Sequence, residues 1–144
     1  MTGTTKLTAA ADDDDGFFEE GGGLKVRFVD REHMEPMARD MANDDLNMSQ
    51  LNRFFRHCRR IEFRLKREET AWGQEKSEVE LLCAHAADAR GKGQKIPESF
   101  KRFIDDNVKR IYTERDFVGG FMKHFEALMG FASLYARKEK RDRQ

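Results

Sequence analysis

The sequence predicts an all-α protein, a compact bundle of about five helices with a flexible acidic arm at its N-terminus. Two observations carry this prediction. Apolar side chains recur at the three- and four-residue spacing of a helix face through most of the chain. Only Leu24–Val29 alternates in the manner of a strand, and no second segment could pair with it. A chain of 144 residues holds one such domain.

Residues 1–23 have the composition of an unfolded segment, and we expect them to form the flexible acidic arm. They include the run Asp12–Asp15 and the triplet Gly21–Gly23, and they hold too little apolar surface to order themselves. Phe17 and Phe18 interrupt this segment, but the sequence shows no partner for them. We assign them no role.

Residues 24–144 form the predicted helical domain. It opens on Leu24–Val29, which we expect to be an isolated extended segment lying against the helices. A first helix follows at His33–Ala42, where methionines recur at helical spacing. A second, strongly amphipathic helix runs from Leu51 to about Glu69, with Ser49 as its N-cap.

Turn signals separate the remaining helices. Trp72-Gly73 ends the second helix, and the third, Ser77–Arg90, stops at Gly91–Gly93, where glycine tolerates a left-handed turn. Ile96-Pro97 begins a fourth helix, and Asp116 caps a fifth. The apolar stripes predicted to form the core are Phe100, Phe103, Ile104, Val108 and Ile111 in the fourth helix and Phe117, Phe121, Phe125, Leu128, Phe131 and Tyr135 in the fifth.

No motif for catalysis, cofactor binding or metal binding stands out. The glycine clusters match neither a P-loop nor a dinucleotide-binding fingerprint. His57-Cys58 and Cys83-Ala84-His85 contain zinc-ligand residue types, but positions on one helix diverge by about 100° per residue, so neither pair converges on one ion. We therefore expect no enzyme activity, no cofactor and no metal, and we expect the two cysteines to stay reduced.

Charge is distributed unevenly along the chain. Residues 1–45 carry five basic and twelve acidic side chains, whereas residues 46–144 carry 22 and 15. No apolar stretch approaches the roughly 18 residues that a membrane helix needs, and no secretory signal pattern opens the chain. The sequence thus predicts a soluble, cytoplasmic protein whose basic region can meet a polyanion.

The most basic segment is residues 53–67, with seven Lys or Arg side chains against one Glu. Five arginines there fall within an arc of about 80° on a helical wheel, opposite the apolar side of the same helix. We call this set the arginine ladder: Arg53, Arg56, Arg60, Arg64 and Arg67. The ladder spans about 21 Å and offers the planar cation that suits phosphate, so it predicts sequence-independent binding to a nucleic-acid backbone. A solvated helix face is the alternative.

A second basic cluster follows the third helix. Arg90, Lys92 and Lys95 lie in and beside a glycine-rich loop, where flexible cations next to exposed backbone N–H groups suit a phosphate. We include all three in the predicted nucleic-acid-binding site.

Several stretches resemble one known family. Leu46-Asn47-Met48-Ser49-Gln50-Leu51-Asn52-Arg53-Phe54-Phe55, followed by Arg59-Arg60-Ile61-Glu62, resembles a helix of the small subunit of type III-A (Csm) CRISPR effector complexes. Leu81-Leu82 through to Arg90 and the aromatic helix from Phe121 to Tyr135 are similar to the same family. The resemblance extends over about residues 24–137 and supports Arg53 and Arg60 best among the ladder residues.

The resemblance implies a non-catalytic helical subunit of an antiviral ribonucleoprotein complex. Such a subunit would be present in several copies along a filament, in contact with the other subunits, the guide RNA and the captured target RNA. Two further hypotheses stay open on the residues alone. One is a helix-turn-helix-like DNA-binding regulator that places the basic helix in a major groove, and the other is an adaptor whose basic helix binds an acidic protein partner.

Overall fold

Five α-helices make up most of the computed structural model, which describes residues 15–91 and 96–143. They are α1 (Arg31–Asn43), α2 (Met48–Lys66), α3 (Trp72–Gly91), α4 (Glu98–Val108) and α5 (Met122–Arg143). A 3₁₀ turn, Val26–Phe28, precedes α1, and a π-helical turn, Asp116–Phe121, runs into α5. The described residues contain no β-strand, and the predicted all-α fold class is confirmed.

A cluster of phenylalanines forms the centre of the bundle. Helix α5 packs along α1 and α2, and α3 packs along α4. Phe103, Phe121 and Phe125 contact one another with ring centroids 5.5–6.1 Å apart. The predicted stripe of α4 is buried throughout, whereas the α5 stripe is buried only as far as Leu128 and becomes half-exposed at Phe131 and Tyr135.

The boundaries of α2 and α3 differ from the predicted ones. Asn47, not Ser49, caps α2, because its side-chain oxygen accepts the backbone N–H groups of Ser49 at 2.8 Å and Gln50 at 3.3 Å. Trp72 begins α3 instead of ending α2. Gln74 stabilises this start, since its side chain accepts the backbone N–H of Ala71 at 2.8 Å. The predicted start at Ser77 is therefore wrong, and α3 gains its first turn from residues assigned to a loop.

The last helical region begins with a reciprocal cap. The Thr113 hydroxyl accepts the backbone N–H of Asp116 at 3.1 Å, and the Asp116 carboxylate accepts the backbone N–H of Thr113 at 3.1 Å. Thr113 is thus the N-cap, and Asp116 is the third residue of the helical region that follows it. This corrects the prediction that Asp116 is the N-cap. The π-helical turn closes where the backbone N–H of Met122 bonds to the carbonyl of Phe117.

Residues 15–23 pack against the bundle, which corrects the prediction of a flexible segment through residue 23; residues 1–14 lie outside the described residues. Phe17 is 1% exposed and its ring lies 5.0 Å from that of Phe28. Gly120 makes this possible, because a Cβ there would lie 2.6 Å from the Cγ of Phe17. Phe18 stacks under the Arg115 guanidinium, which lies 3.7 Å from the ring centroid.

The segment Leu24–Val29 is not an extended strand-like piece, because Val26–Phe28 closes a 3₁₀ turn. Phe28 turns inward and is 3% exposed. The Nδ1 of His124 donates a hydrogen bond of 2.6 Å to the Phe28 carbonyl and fixes the turn to α5. Burial lowers the pKa of His124 to about 4, so this imidazole is neutral at physiological pH.

Candidate nucleic-acid interface

Helix α2 presents two opposite faces. Its apolar side, which includes Leu51, Cys58 and Ile61, is fully buried in the core. The opposite side carries the arginine ladder, as the wheel predicts. Because α2 is nineteen residues long and firmly capped by Asn47, the ladder residues are held on a rigid element.

The N-terminal half of the ladder is exposed and forms no ion pair among the described residues, although Asp88 lines the same cleft as Arg53 and Arg60. Arg53, Arg56 and Arg60 are all exposed and lie on successive turns of α2. None of the ion pairs formed within residues 15–91 and 96–136 involves any of the three. This half therefore offers three cations to an external anion.

Arg64 has a different role from the one predicted. Its Nε and a terminal nitrogen bind both carboxylate oxygens of Glu75, at 2.6 and 2.9 Å, and the Thr70 hydroxyl donates to the same carboxylate at 2.8 Å. The Glu75 side chain is 4% exposed. The hydrogen bond from Arg64 holds the pKa of Glu75 below its usual value, and the bond to Glu75 raises the pKa of Arg64. Arg64 joins α2 to α3 and is not a free phosphate ligand.

Arg67 ends the ladder at the C-cap of α2. Its Nε lies 3.1 Å from a carboxylate oxygen of Glu69, and its guanidinium lies 5.0 Å from the ring centroid of Phe63. Both contacts are on the surface, where such pairs contribute little. Arg67 is placed on the predicted face, but a local acid already balances its charge.

Two further cations of the basic segment are neutralised by one buried acid. Glu62 binds Arg59 at 2.7 Å and Lys66 at 3.4 Å, and its side chain is only 6% exposed. Arg59 also reaches Glu126 of α5 at 3.4 Å. Four of the seven basic side chains in this segment are thus paired with acids. The other three, Arg53, Arg56 and Arg60, form one cationic patch.

The second basic cluster is only partly described. The Arg90 guanidinium donates to the Ile96 carbonyl at 2.9 Å and lies 3.6 Å from a Glu98 oxygen. Arg90 therefore holds the start of α4 against the end of α3, which is a structural role. Lys92 and Lys95 lie outside the described residues.

A cleft between α2 and α3 adjoins the cationic patch. It has a volume of about 280 Å³, and it is lined by Gln50, Arg53, Phe54, His57, Arg60, Leu82, His85, Asp88 and Ala89. His57 and His85 belong to separate helices, and helix packing brings their ring centroids to 5.7 Å. Burial, with the nearby His85, lowers the pKa of His57. No local pattern could have revealed this pairing.

Burial disfavours the charged form of both thiols. It raises the pKa of Cys58 to about 12 and that of Cys83 to about 11, and both cysteines are unpaired.

Within the described part of the chain, no helix is long and apolar enough to span a bilayer.

The fold and this surface define an all-α protein whose second helix carries an exposed cationic patch. A comparison with protein families assigns this protein to one family. A family model described as Csm2 Type III-A matches residues 29–138, and the chain belongs to that family. It is thus a subunit of the type III-A CRISPR effector complex, and the predicted family is confirmed. No curated protein and no solved structure matches the chain.

Proposed function

We propose that this protein is a non-catalytic small subunit that binds the guide and target RNA backbone through Arg53, Arg56 and Arg60. The observation that carries the proposal is the contrast in charge along α2: these three arginines are exposed without an acidic partner in the described ion pairs, while Arg59, Arg64 and Lys66 are neutralised. The three cover about 10 Å of helix, so they can contact consecutive phosphates of one strand. Base pairing between the RNA strands supplies the sequence specificity.

The same proposal assigns no chemistry to this subunit. The thiols of Cys58 and Cys83 stay protonated at neutral pH because their pKa values are raised, which removes their nucleophilic form. Copies of the chain pack along the filament beside the other subunits, and weak RNA contacts in each copy add up through avidity. The assembly acts in the cytoplasm in RNA-guided antiviral defence and needs no cofactor in this subunit.

The test is RNA binding by the full chain at several salt concentrations. We expect the triple variant R53A/R56A/R60A to bind single-stranded RNA of any sequence more weakly and to flatten the salt dependence by about 0.7 for each phosphate that is no longer bound. The variant K76A/K109A/K123A removes the same charge from exposed positions outside α2 and serves as the control. Equal binding by the two variants would overturn the proposal, and a strong preference for one duplex sequence would favour a DNA-binding regulator.

A further inference from the structure

The cleft between α2 and α3 lies directly beside the exposed arginines. Arg53 and Arg60 belong to its lining, and its apolar floor is formed by Phe54, Leu82 and Ala89, which are 7%, 0% and 5% exposed. A phosphate alone would need neither this floor nor a volume of about 280 Å³. The cleft therefore suits a ligand that joins an apolar body to an anionic group.

The walls of the cleft carry groups that form hydrogen bonds. Gln50, His57, His85 and Asp88 supply an amide, two imidazoles and a carboxylate. The Nε2 of His57 is shielded from solvent and has no hydrogen-bond partner among the described residues. Glu78 lies 3.8 Å from it, beyond hydrogen-bond distance. Because this nitrogen lies toward Glu78, which does not line the cleft, the exposed imidazole of His85 is the one that is open to a ligand.

A nucleobase has both properties that the cleft demands. Its faces are apolar enough to lie against Phe54 and Ala89, and its edges carry donors and acceptors that imidazole, amide and carboxylate groups can pair with. Arg53 and Arg60 lie about 10 Å apart along α2, one turn to either side of His57. The RNA backbone can thus be held on both sides of the opening while one base points inward.

We propose that this cleft receives one unstacked base of single-stranded RNA, with Arg53 and Arg60 holding the phosphates that flank it. This inference rests on the proposed function and adds a base-binding site to a backbone-binding surface. A fully paired RNA cannot use the site, because its bases stay stacked in the helix. Preference for single-stranded over duplex RNA is the property that follows.

The experiment fills the cleft without changing the arginines. H85W places a large side chain at the opening, and A87W places the same side chain at an exposed position of α3 that does not line the cleft. The probes are a short oligouridylate, which stacks weakly, and a short RNA duplex of mixed sequence. We expect H85W to bind the oligouridylate about tenfold more weakly than the wild type, with duplex binding unchanged, and A87W to match the wild type with both probes.

The possible outcomes separate this inference from the proposed function. If H85W binds both probes as the wild type does while R53A/R56A/R60A weakens both, the base site is overturned and backbone binding stands. Equal weakening of both probes by H85W also overturns the base site, because the effect would then come from the ladder. If the triple variant has no effect, or if the wild type binds neither probe, both proposals fail.

A second measurement needs no variant. In proton NMR spectra, the imidazole signals of His57 and His85 should shift when the oligouridylate is added to the full chain and should stay in place with inorganic phosphate. Equal shifts with both additions would indicate an anion site alone and would overturn the base site.

Discussion

The two ends of the arginine ladder lie on the same face of one helix, yet their contacts differ. Arg53, Arg56 and Arg60 point outward and are absent from the described ion pairs, whereas Arg64 binds Glu75 through two hydrogen bonds of 2.6 and 2.9 Å. The difference does not come from α2, since its periodicity is the same throughout. It comes from α3, whose first turn places the buried carboxylate of Glu75 opposite the C-terminal end of the ladder, whereas Asp88 near the other end of α3 is exposed.

The number of basic residues in a segment therefore exceeds the number that is available to an external anion. A guanidinium already bound to a buried carboxylate must break that interaction before it binds phosphate, and the carboxylate is then left without its partner in a poorly hydrated site. An exposed guanidinium has no such penalty. The position of acids on neighbouring elements therefore decides which arginines are available to an external anion.

The largest expected effect comes from removing the structural end of the ladder. R64A leaves the Glu75 carboxylate, whose side chain is 4% exposed, with the Thr70 hydroxyl as its one side-chain donor among the described residues. We expect the free energy of unfolding to fall by about 2 kcal/mol, measured by urea denaturation. R56A removes an exposed arginine from the same helix and should stay within about 0.5 kcal/mol of the wild type. Equal stability of the two variants would remove the distinction between the two ends.

Charge reversal at the exposed end should affect RNA binding instead. We expect R60E to weaken binding to single-stranded RNA by about tenfold, or about 1.4 kcal/mol, with a smaller salt dependence because one phosphate fewer is neutralised. Far-ultraviolet circular dichroism and urea denaturation should show an unchanged fold. K123E, at an exposed position of α5, is the matched charge reversal, and a weakening of binding equal to that of R60E would point to a general effect of net charge.

The pH dependence of stability sharpens the contrast further. The hydrogen bond from Arg64 holds the pKa of Glu75 below its ordinary value of 4.5, with help from Thr70. This contribution is present above pH 4.5 and is lost as the pH falls below it and the carboxylate takes up a proton. We expect the stability of E75Q to fall less steeply than that of the wild type below pH 4.5, in urea denaturation at a series of pH values. Parallel curves below that pH would contradict the role of Glu75.

His124 provides an internal reference for this measurement. Its pKa falls from 6.5 to about 4 on folding, so its contribution is complete above pH 6.5 and is lost as the pH falls towards 4. Wild type, E75Q and R60E should all lose stability between these two values, and H124N should lose less there. A flat wild-type curve over that range would show that His124 does not titrate as its burial indicates.

The smallest effect is expected at the last ladder position. Arg67 contacts Glu69 and the face of Phe63 at the surface, where such interactions contribute little. R67A should change the free energy of unfolding by less than about 0.5 kcal/mol and the RNA dissociation constant by less than about twofold. An effect as large as that of R60E, in the same binding assay, would extend the functional end of the ladder to Arg67.

The sequence predicts the faces of α2 correctly because a helical wheel needs only the residues of one helix. It does not predict the partner of Arg64, since the expected start of α3 at Ser77 leaves Glu75 in a loop, and the cap that moves the start to Trp72 is a weak local signal. The cleft between α2 and α3 cannot be predicted from the sequence for the same reason. His57 and His85 belong to different helices, and only the packing of α2 against α3 brings them together.

The N-terminal segment is the other unpredicted element, because the partners of Phe17 lie far away in the chain. The ring of Phe17 occupies the space that a side chain at position 120 would take. The family model begins only at residue 29 and does not include this segment. Composition suggests cutting the protein before residue 24 for recombinant production. Such a truncation would uncover Phe28 and Gly120 and leave an apolar surface prone to aggregation. Affinity tags and fluorescent labels belong ahead of residue 15, where they leave the packing of Phe17 intact.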